Sequence, residues 1–502
     1  MSRTPEPEPS MEREAKLQAP PGFRLPELGG DGLIATVRPE RRYATTYLDT
    51  GQLHLARWGC SLRYREGQGW TAKLPSREVG DLLVRREYVF DGPAPPRRAP
   101  EAAVDLLRAY VRDRPLGPSA RLRTLRRSVQ LTDDLGRPVA EVTDDEVSVM
   151  HGRRVASRFR ELEIELAPGA PEEAVAGLLE RLHDAGAGPV ENVPKIRRAL
   201  GPRADAAPEV AVRPVGSHAT VSEVVRGALA ASTARLFNHD AGVRVGLDPE
   251  DVHQARVATR RLRSDLRTFR DFVEPDWATA LREELRWLGA ELGAVRDVEV
   301  LRERLRGRVG SLPPSDRRAA DGLIDSLDRR HDAVREELLA AMREPRYLRL
   351  LDALVVAADA PALLEGVADA PAAEAFRPAL ESPWKHLVTA MDAVAADATD
   401  ENLHAARIRA KRVRYAAEAV AAVFGKRARA FAEAAVAVQD VLGEHQDAVV
   451  AGAWLREAAA EGGDAFVAGE LAAIESQAAA RAREGWPGAW KGLSRKRLRF
   501  WA

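Results

Sequence analysis

Carboxylates that alternate along the chain occupy two segments of its first half. Glu12 and Glu14 alternate with Lys16 in EREAK, and three more glutamates alternate in RELEIEL. This second set is Glu161, Glu163 and Glu165. On a β-strand, residues at i, i+2 and i+4 project to one face. A face with three carboxylates is costly unless water or cations neutralise it, and Mg²⁺ typically takes one or two carboxylates together with substrate phosphates. Both segments therefore predict contacts to a hard divalent cation.

Basic side chains alternate in other short segments of the same half. They are Arg63, Arg65, Lys73, Arg85, Arg121 and Arg123. Arginine in particular matches phosphate oxygens with a planar, two-pronged donor group. If acidic and basic faces meet inside one closed sheet, they form a wet, charged interior that could hold a triphosphate and its metal ions. The alternative is that each charged face is the solvent side of a half-exposed strand.

The order of these motifs resembles the CYTH family, the triphosphate tunnel metalloenzymes, from about Met11 to Leu200. The resemblance rests on E-x-E-x-K at Glu12, R-x-R at Arg63, the later acidic strand, and a lysine in ENVPKIRRAL, Lys195. It implies an eight-stranded antiparallel tunnel that binds triphosphates with Mg²⁺ or Mn²⁺.

The resemblance also implies roles for individual residues. Those implied to hold metal are Glu12, Glu14, Glu161, Glu163, Glu165 and Asp145 or its neighbour Asp144. Those implied to hold phosphate are Lys16, Arg63, Arg65, Lys73, Arg85, Arg121, Arg123 and Lys195. Those implied to act in catalysis are Glu12, Glu14 and Lys16. Hydrolysis of this kind needs no protein nucleophile, because metal ions neutralise the phosphates and activate water.

A histidine–arginine stripe occurs twice in the second half. VHQARVATRRLR from Val252 reappears as LHAARIRAKRVR from Leu403, 151 positions later, and LGAVRD matches LGEHQD further on. The first stripe is His253, Arg256, Arg260, Arg263 and Arg267; the second is His404, Arg407, Lys411 and Arg414. Steps of three and four residues place each set on one helix face. The repetition indicates a duplicated helical unit. A cationic stripe repels itself and favours a polyanion, and the alternative is a solvated basic face.

These repeated motifs resemble the CHAD family, the conserved-histidine α-helical domains, over about residues 215–490. The resemblance implies two pseudo-symmetric helical bundles whose basic surface binds inorganic polyphosphate through the two stripes. The histidines would contact phosphate or orient their helices rather than bind metal. Asp297 and Asp447, at the ends of the LGAVRD and LGEHQD segments, are expected to orient the arginines.

The secondary structure that must position these residues changes near residue 205, from mostly strands to helices. Before it, short alternating segments punctuated by Gly and Pro predict strands, with helices near 101–113 and 171–184 and a hairpin at Leu135-Gly136. After it, helical spacing predicts an all-α domain, with Asp248 and Asp400 as candidate helix caps. The predicted fold is an α+β domain with an eight-stranded antiparallel tunnel, then an all-α domain with two pseudo-symmetric bundles. The predicted segments are a disordered N-terminus (1–10), a tunnel domain (11–201), a linker (202–216), a helical domain (217–492) and a frayed basic tail (493–502).

Composition narrows the setting. Lys plus Arg and Asp plus Glu both number 76, so attraction of an anion depends on local clusters rather than on net charge. The single cysteine, Cys60, excludes an intrachain disulfide and fits a reducing compartment. The N-terminal segment lacks a signal-peptide pattern and no long apolar run occurs, so a cytoplasmic location without membrane contact is expected, with association with polyphosphate granules.

The favoured hypothesis is a metal-dependent triphosphate or tripolyphosphate hydrolase with an attached polyphosphate-binding helical domain. One alternative is a non-catalytic protein that binds polyphosphate, and a less favoured one is a nucleoside triphosphate cyclase. The expected partner is inorganic polyphosphate or tripolyphosphate. Nucleic acid is disfavoured because the sequence shows no basic platform interleaved with aromatic residues for base stacking.

Overall fold

The computed structural model describes residues 9–95 and 98–501, and it divides into two compact units between Glu209 and Val210. Of the predicted disordered segment 1–10, residues 1–8 lie outside the described residues. Pro9 and Ser10 already belong to the first strand. In the part of the chain that is described, no helix combines the length and apolar character needed to cross a bilayer.

Ten strands are described in the first unit. They are β1 (Pro9–Gln18), β2 (Leu33–Val37), β3 (Arg41–Asp49), β4 (Ser61–Arg65), β5 (Gly69–Lys73), β6 (Arg77–Val79), β7 (Leu82–Phe90), β8 (Gly117–Asp133), β9 (Pro138–His151) and β10 (Arg154–Leu166). Eight pair antiparallel in the order β1-β10-β9-β8-β3-β4-β5-β7, and β1 also pairs with β7, which closes the ring. The predicted eight-stranded antiparallel tunnel is confirmed. The predicted hairpin at Leu135-Gly136 joins β8 to β9, with Gly136 at φ 76°.

The barrel turns its apolar face outward. The short helices of this unit are α1 (His54–Arg57), α2 (Glu101–Leu106), α3 (Arg108–Val111), α4 (Glu173–Asp184) and α5 (Lys195–Leu200). Leu17 of β1 and Ile164 of β10 are buried in one apolar cluster with Leu178 and Leu182 of α4. Because neighbours along a strand point to opposite faces, the glutamates between these apolar residues point into the barrel.

The second unit is helical. Its helices are α6 (Val221–Val245), α7 (Pro249–Thr268), α8 (Pro275–Val309), α9 (Pro314–Ala341), α10 (Pro345–Asp359), α11 (Ala372–Ala375), α12 (Arg377–Ala396), α13 (Asp400–Ala419), α14 (Ala421–Phe424), α15 (Lys426–Ala460) and α16 (Ala465–Leu493). The duplication is confirmed by their bounds, because α13, α15 and α16 begin 151 positions after α7, α8 and α9. The longest helices α8, α9, α15 and α16 share an apolar core around Leu305, Leu327, Leu455 and Leu471.

One of the two predicted helix caps is wrong. Asp248 caps α7 by accepting a hydrogen bond from the backbone of Glu250. At α13 the cap is Thr399, whose hydroxyl accepts from the backbone of Asn402 at 3.2 Å. Thr399 occupies the non-helical cap position one residue before Asp400. Asp400 therefore falls in the first turn of α13 and pairs with Arg483 and His445.

The predicted frayed tail is also wrong. Phe500 and Trp501 are buried, and the Trp501 ring lies 4.9 Å from Phe431 and 6.1 Å from Trp384, between ring centroids. The guanidinium of Arg499 lies 5.3 Å from the centre of the Trp384 ring. The aromatic residues bury a large apolar area in this unit, so they hold the end of the chain in place although its sequence is basic.

Candidate functional site: a charged tunnel and an arginine groove

Strand register brings the predicted tunnel residues together across the barrel. On β1 and β10, Lys16 lies opposite Glu163, and Glu14 lies opposite Glu165. On β9, Asp145 lies opposite Glu161 of β10 and Arg126 of β8. Directly opposite residues share a face of the sheet. The acidic residues of three strands therefore converge on the interior of the ring.

Glu12 and Glu14 are held by cations of β5 and β7. Lys73 Nζ lies 2.5 Å from Glu12 Oε1, and Arg85 Nε donates to Glu12 Oε2 at 2.6 Å. The same guanidinium donates from Nη2 to Glu14 Oε1 at 2.7 Å. Lys73 also lies 2.7 Å from Glu87. Glu12, Glu14, Lys73 and Arg85 are all buried, so each charge depends on its neighbours rather than on water.

A second cluster joins β1, β8, β9, β10 and the first residue of α5. Lys16 contacts Glu14 at 2.7 Å and also Glu163. Lys195 Nζ lies 2.8–2.9 Å from Asp145, Glu161 and Glu163. The predicted residues Lys16 and Lys195 therefore lie inside the tunnel, each between carboxylates of two strands.

Cations decide which of these carboxyls stay ionised. Burial opposes the charge of Glu12, but Lys73 and Arg85 outweigh it and hold the pKa of Glu12 below its ordinary value. Lys16 and Lys195 do the same for the pKa of Glu163, against its burial. At Glu161 burial prevails over Lys195, and the pKa is raised.

Glu165 differs from the other tunnel carboxylates. It is water-accessible and forms no ion pair within the described residues. Loss of bulk water around it and the nearby charge of Glu12 raise its pKa to about 7. Both facts hold for a side chain that points into a water-filled tunnel, where protein surrounds it on most sides.

Arg63 and Arg65 form an electropositive part of the interior. Their Nε atoms are buried and donate no hydrogen bond to any group in the described part of the chain. Arg65 stacks 4.3 Å from the centre of the Tyr43 ring and donates to Gln68 at 2.9 Å, but it forms no ion pair within the described residues. Burial and repulsion from Arg63 lower the pKa of Arg65. These spare donors in a buried position match an anion with several oxygens.

The predicted roles of Arg121 and Arg123 are corrected. Both are exposed on the outer face of β8. The β8 arginine inside the tunnel is Arg126, which donates to Asp145 at 2.6 and 2.8 Å and to Glu163 at 3.1 Å. The RLRTLRR segment has basic residues at odd and even positions, and only the pairing of β8 with β9 shows which set points inward. Asp145 could have identified the inward set, because the arginine that points inward must lie opposite the aspartate that points inward.

Asp144, the other candidate aspartate, points outward. Its carboxylate accepts two hydrogen bonds from Arg160, both at 2.7 Å, and lies 3.5 Å from Arg127. Asp144 is thus part of an ion-pair cluster on the outer face of the barrel. Of the two neighbouring aspartates, only Asp145 can contact a tunnel ligand.

The tunnel carboxylates differ in how free they are to hold a divalent metal. Within residues 9–95 and 98–501, no group of three or more His, Cys, Asp or Glu side chains is arranged to hold a metal ion. Most of the tunnel carboxylates are engaged by lysine or arginine instead. Glu161 is also close to cations, with Lys195 Nζ 2.8 Å from Oε1 and Arg198 Nε 3.4 Å from Oε2, yet within the described residues neither carboxylate oxygen accepts a hydrogen bond. Carboxylate oxygens without hydrogen bonds are hard ligands of the type that Mg²⁺ and Mn²⁺ take, so Glu161 fits such an ion in chemistry.

In the helical unit, the two predicted stripes lie side by side because α7 packs on α13. We call the surface formed by Arg256, Arg260, Arg407 and Lys411 the arginine groove. Arg260 lies 5.3 Å from the centre of the Tyr415 ring of α13. Arg414, also on α13, lies 4.8 Å from the same ring.

The two aspartates contact the stripe arginines, as their predicted orienting role requires. Arg256 donates to Asp297 at 2.8 Å, and at the equivalent position of the repeat Arg407 donates to Asp447 at 3.4 Å. His404 Nδ1 lies 2.7 Å from the side-chain oxygen of Gln446. Each repeat therefore uses the longer neighbouring helix, α8 or α15, to fix its basic stripe.

Repulsion inside the groove lowers the pKa of its basic side chains. Burial, together with Arg407, Arg260 and Arg256, lowers the pKa of Lys411 to about 7. Burial and the neighbouring arginines also lower the pKa of Arg260 and of Arg263. The pKa of His253 is lowered by burial and by Arg296, a contact on α8 that the sequence pattern did not reveal. A polyanion laid along the groove would relieve this repulsion.

Comparison with known proteins finds a family model that matches part of the second half and a relative that spans most of the chain. Residues 227–456 match the family model of the CHAD domain. An uncharacterized protein of Mycobacterium tuberculosis, Rv2226 in strain H37Rv and MT2285 in strain CDC 1551, is 33% identical over 488 residues. That similarity covers 90% of this chain and 91% of the M. tuberculosis protein.

Two solved structures resemble the separate halves. The CHAD domain from the plant Ricinus communis is 29% identical with a TM-score of 0.46, over 57% of this chain and 95% of that domain. A putative adenylate cyclase from Bacillus halodurans is 18% identical with a TM-score of 0.24, over 38% of this chain and 99% of that protein.

Proposed function

This chain belongs to the family of the M. tuberculosis protein Rv2226, and we propose, from its own eight-stranded barrel and CHAD match, that it is a metal-dependent hydrolase of tripolyphosphate or a related triphosphate. The observation that carries the proposal is the interior of the barrel. At least six carboxylates and at least five cations face one closed lumen, and Arg63 and Arg65 keep buried Nε donors that no group within the described residues accepts.

The ion pairs themselves indicate how substrate would enter. In the free protein Lys73, Arg85 and Arg126 neutralise the carboxylates. The oxygens of a triphosphate offer these cations equivalent partners, since arginine and lysine bind phosphate as readily as carboxylate. The carboxylates released in this exchange, together with Glu161, would hold Mg²⁺ or Mn²⁺. When bound, the metal would neutralise phosphate charge and lower the pKa of water for attack on phosphorus.

The chain's own residues then have separate tasks. Arg63, Arg65 and Arg126 would bind and orient the phosphate oxygens, while Lys16 and Lys195 keep the carboxylate of Glu163 ionised. The lumen is closed by the strand ring, so the phosphate chain would be held in line with little bulk water around it. No nucleophilic side chain is required.

Phosphate release from tripolyphosphate, with Mg²⁺ or Mn²⁺ and with chelator, tests the proposal. The double variant Glu12→Gln/Glu14→Gln keeps size and removes two charges, and we expect it to lower turnover at least about 100-fold, as for other lost charge contacts in an active site. Glu146→Gln is the matched control, because Glu146 is exposed on the outer face of β9 and should leave turnover unchanged. Absence of turnover in the natural protein, or full turnover in the double variant, would refute the proposal.

A second function is favoured by one specific observation: Glu12, Glu14, Asp145 and Glu163 are all engaged by cations. A tunnel that keeps these pairs would bind a phosphate chain without hydrolysing it. Calorimetric binding of tripolyphosphate without phosphate release in the presence of either metal would select this function. Formation of a cyclic nucleotide from ATP would instead select the cyclase alternative.

For the helical unit we propose binding of inorganic polyphosphate along the arginine groove, with His253 and His404 at its edges as phosphate contacts. The protein would then meet polyphosphate in the cytoplasm, including granules of it. The quadruple variant of Arg256, Arg260, Arg407 and Lys411 to Gln in the full chain should lower affinity for long-chain polyphosphate and flatten its salt dependence, because fewer counterions are released. Equal affinity and equal salt slope in natural protein and variant would refute groove binding.

A further inference from the structure

An arginine-lined cavity of about 460 Å³ lies where the C-terminal end of α7 meets α8, α12 and α13. We call it the arginine pocket. Arg267 of α7, Arg282 of α8, and Arg409 and Arg412 of α13 line it, and His386 of α12 lies at its wall. None of these four arginines forms an ion pair within the described residues. The lining also includes Arg270 and Asp271, which pair with each other at 3.3 Å. The charges of the other four arginines are therefore not balanced by a carboxylate of the lining.

The charges in the pocket repel one another. Loss of water around the guanidinium of Arg267, together with Arg412 and Arg282, lowers its pKa to about 10, although the side chain remains partly exposed. Burial and Arg409 also lower the pKa of Arg412. Arg282 Nε is buried and donates no hydrogen bond. A ligand of opposite charge would relieve this repulsion.

The internal duplication provides an independent comparison, because it supplies a second copy of the same location. The position equivalent to Arg267 is Glu418, which pairs with Arg261 at 2.6 Å and with Arg414 at 3.4 Å. The position equivalent to Arg409 is Ala258. Neither residue at the place of Arg282 on α15, Ala432 or Glu433, is basic. One copy is therefore neutralised from within, while the other keeps its arginines unpaired.

From this asymmetry we propose that the arginine pocket is a binding site for a compact anion with two or more phosphate groups, separate from the tunnel and from the arginine groove. Four guanidinium groups around a small cavity suit a cluster of phosphate oxygens, since each can donate two parallel hydrogen bonds. The volume lies within the range of small-molecule sites. Arg267 also ends the stripe of α7, so the same chemistry fits either a free oligophosphate or the terminus of a longer chain.

The test uses the full chain and the double variant Arg267→Gln/Arg412→Gln. A charge-matched control is Arg318→Gln/Arg329→Gln, two exposed residues of α9 that form no ion pair within the described residues. Pyrophosphate binding is measured by calorimetry without added metal, at constant ionic strength. The pocket variant should lose one site, or bind there at least about tenfold more weakly because charged hydrogen bonds to phosphate are removed. The control should keep the natural stoichiometry.

Thermal unfolding tests the proposal independently if pyrophosphate binds at several sites and calorimetry does not resolve them. Without ligand, the pocket variant should unfold at the same or a higher temperature than the control, because repulsion is removed. With pyrophosphate, the stabilisation should be smaller than in the control. Equal stabilisation of both variants, or the same stabilisation by sulfate at equal ionic strength, would overturn the proposal.

Two further probes distinguish the source of the phosphate. Loss of pyrophosphate binding with long-chain polyphosphate binding unchanged identifies a free oligophosphate site. Loss of both, with the long-chain loss absent for chains whose ends are blocked as phosphoramidates, identifies recognition of the chain terminus. Failure of tunnel hydrolysis or of groove binding leaves this comparison intact, because neither Arg267 nor Arg412 lies in the tunnel or among the four residues that define the groove.

Discussion

Arg126 offers the sharpest test of the tunnel geometry, because two arginines of one strand give opposite predictions. Arg126 points inward and donates three hydrogen bonds to Asp145 and Glu163, whereas Arg123 is exposed on the outer face of β8. Replacing each by Gln removes the same charge from the same strand. Only the Arg126→Gln variant should leave buried carboxylates with fewer partners.

The size of the effect follows from what remains. Removing one partner of a buried ion pair typically costs about 3–5 kcal/mol. Lys195 still contacts Asp145 and Glu163 at 2.8–2.9 Å, so we expect a smaller loss for Arg126→Gln, about 2–3 kcal/mol. In a unit of this size that corresponds to a fall in melting temperature of about 4–12 °C. Arg123→Gln should change stability by less than about 0.5 kcal/mol.

The assay is denaturant unfolding of both variants, followed by the β-sheet signal in circular dichroism, at about pH 7 and about pH 3. The pKa values of Asp145 and Glu163 are lowered in the folded protein. Their ion pairs therefore stabilise the fold above the unfolded carboxyl pKa, and this stability is lost as the pH falls through the lower, folded values. The difference between the variants should accordingly shrink in acid. Equal stability of the variants at neutral pH would refute the inward position of Arg126, and a difference independent of pH would show that packing, not charge, is lost.

Three further predictions concern the helical unit. Burial raises the pKa of Asp265 to about 7, so between about pH 4 and 7 the folded state holds a proton that the unfolded state releases, and stability falls as the pH rises. The variant Asp265→Asn should therefore gain stability relative to the natural protein over this range. A stability difference in denaturant unfolding that stays constant with pH would contradict this prediction. Lys411, with its pKa lowered to about 7, should take up a proton when polyphosphate binds. The affinity for polyphosphate should therefore fall between about pH 6 and about pH 8 more steeply in the natural protein than in Lys411→Gln. Affinity profiles that run parallel over this pH range would contradict the prediction. Trp501→Ala should destabilise this unit by about 3–5 kcal/mol through loss of buried aromatic area, and an unchanged melting temperature would show that the last residues do not pack.

Much of the site could be predicted because β-strands and α-helices impose fixed periods on side chains. Glu161, Glu163 and Glu165 had to share a face whatever the rest of the fold did. The same holds for His404, Arg407 and Lys411 on a helix. These predictions needed only local geometry, and the structure brings the members of each set together.

Pairing between strands could not be predicted in the same way. Arg121 and Arg123 share a face as surely as Glu12 and Glu14 do, yet they face outward, because a single step along β8 decides which parity enters the tunnel. Arg126 was missed for that reason. The buried tail shows a second limit, since the basic residues before Phe500 suggested solvent while the aromatic ring clusters around Trp384 and Phe431 decided otherwise.

By itself, the sequence determined which residues share a face of a strand or helix, and it revealed the repeat of 151 positions. The alternating charges and the two stripes depend only on local backbone geometry, and the repeat follows from direct comparison of the two segments. Only the tertiary structure decided which face lies inside, since that depends on closure of the sheet between β1 and β7. It also decided that α7 packs on α13, and hence that Lys411 lies among arginines of both repeats. The difference between Arg267 and Glu418 can be read from the sequence. Only the packing shows its consequence, since it places Arg267 among unpaired arginines and Glu418 beside Arg261.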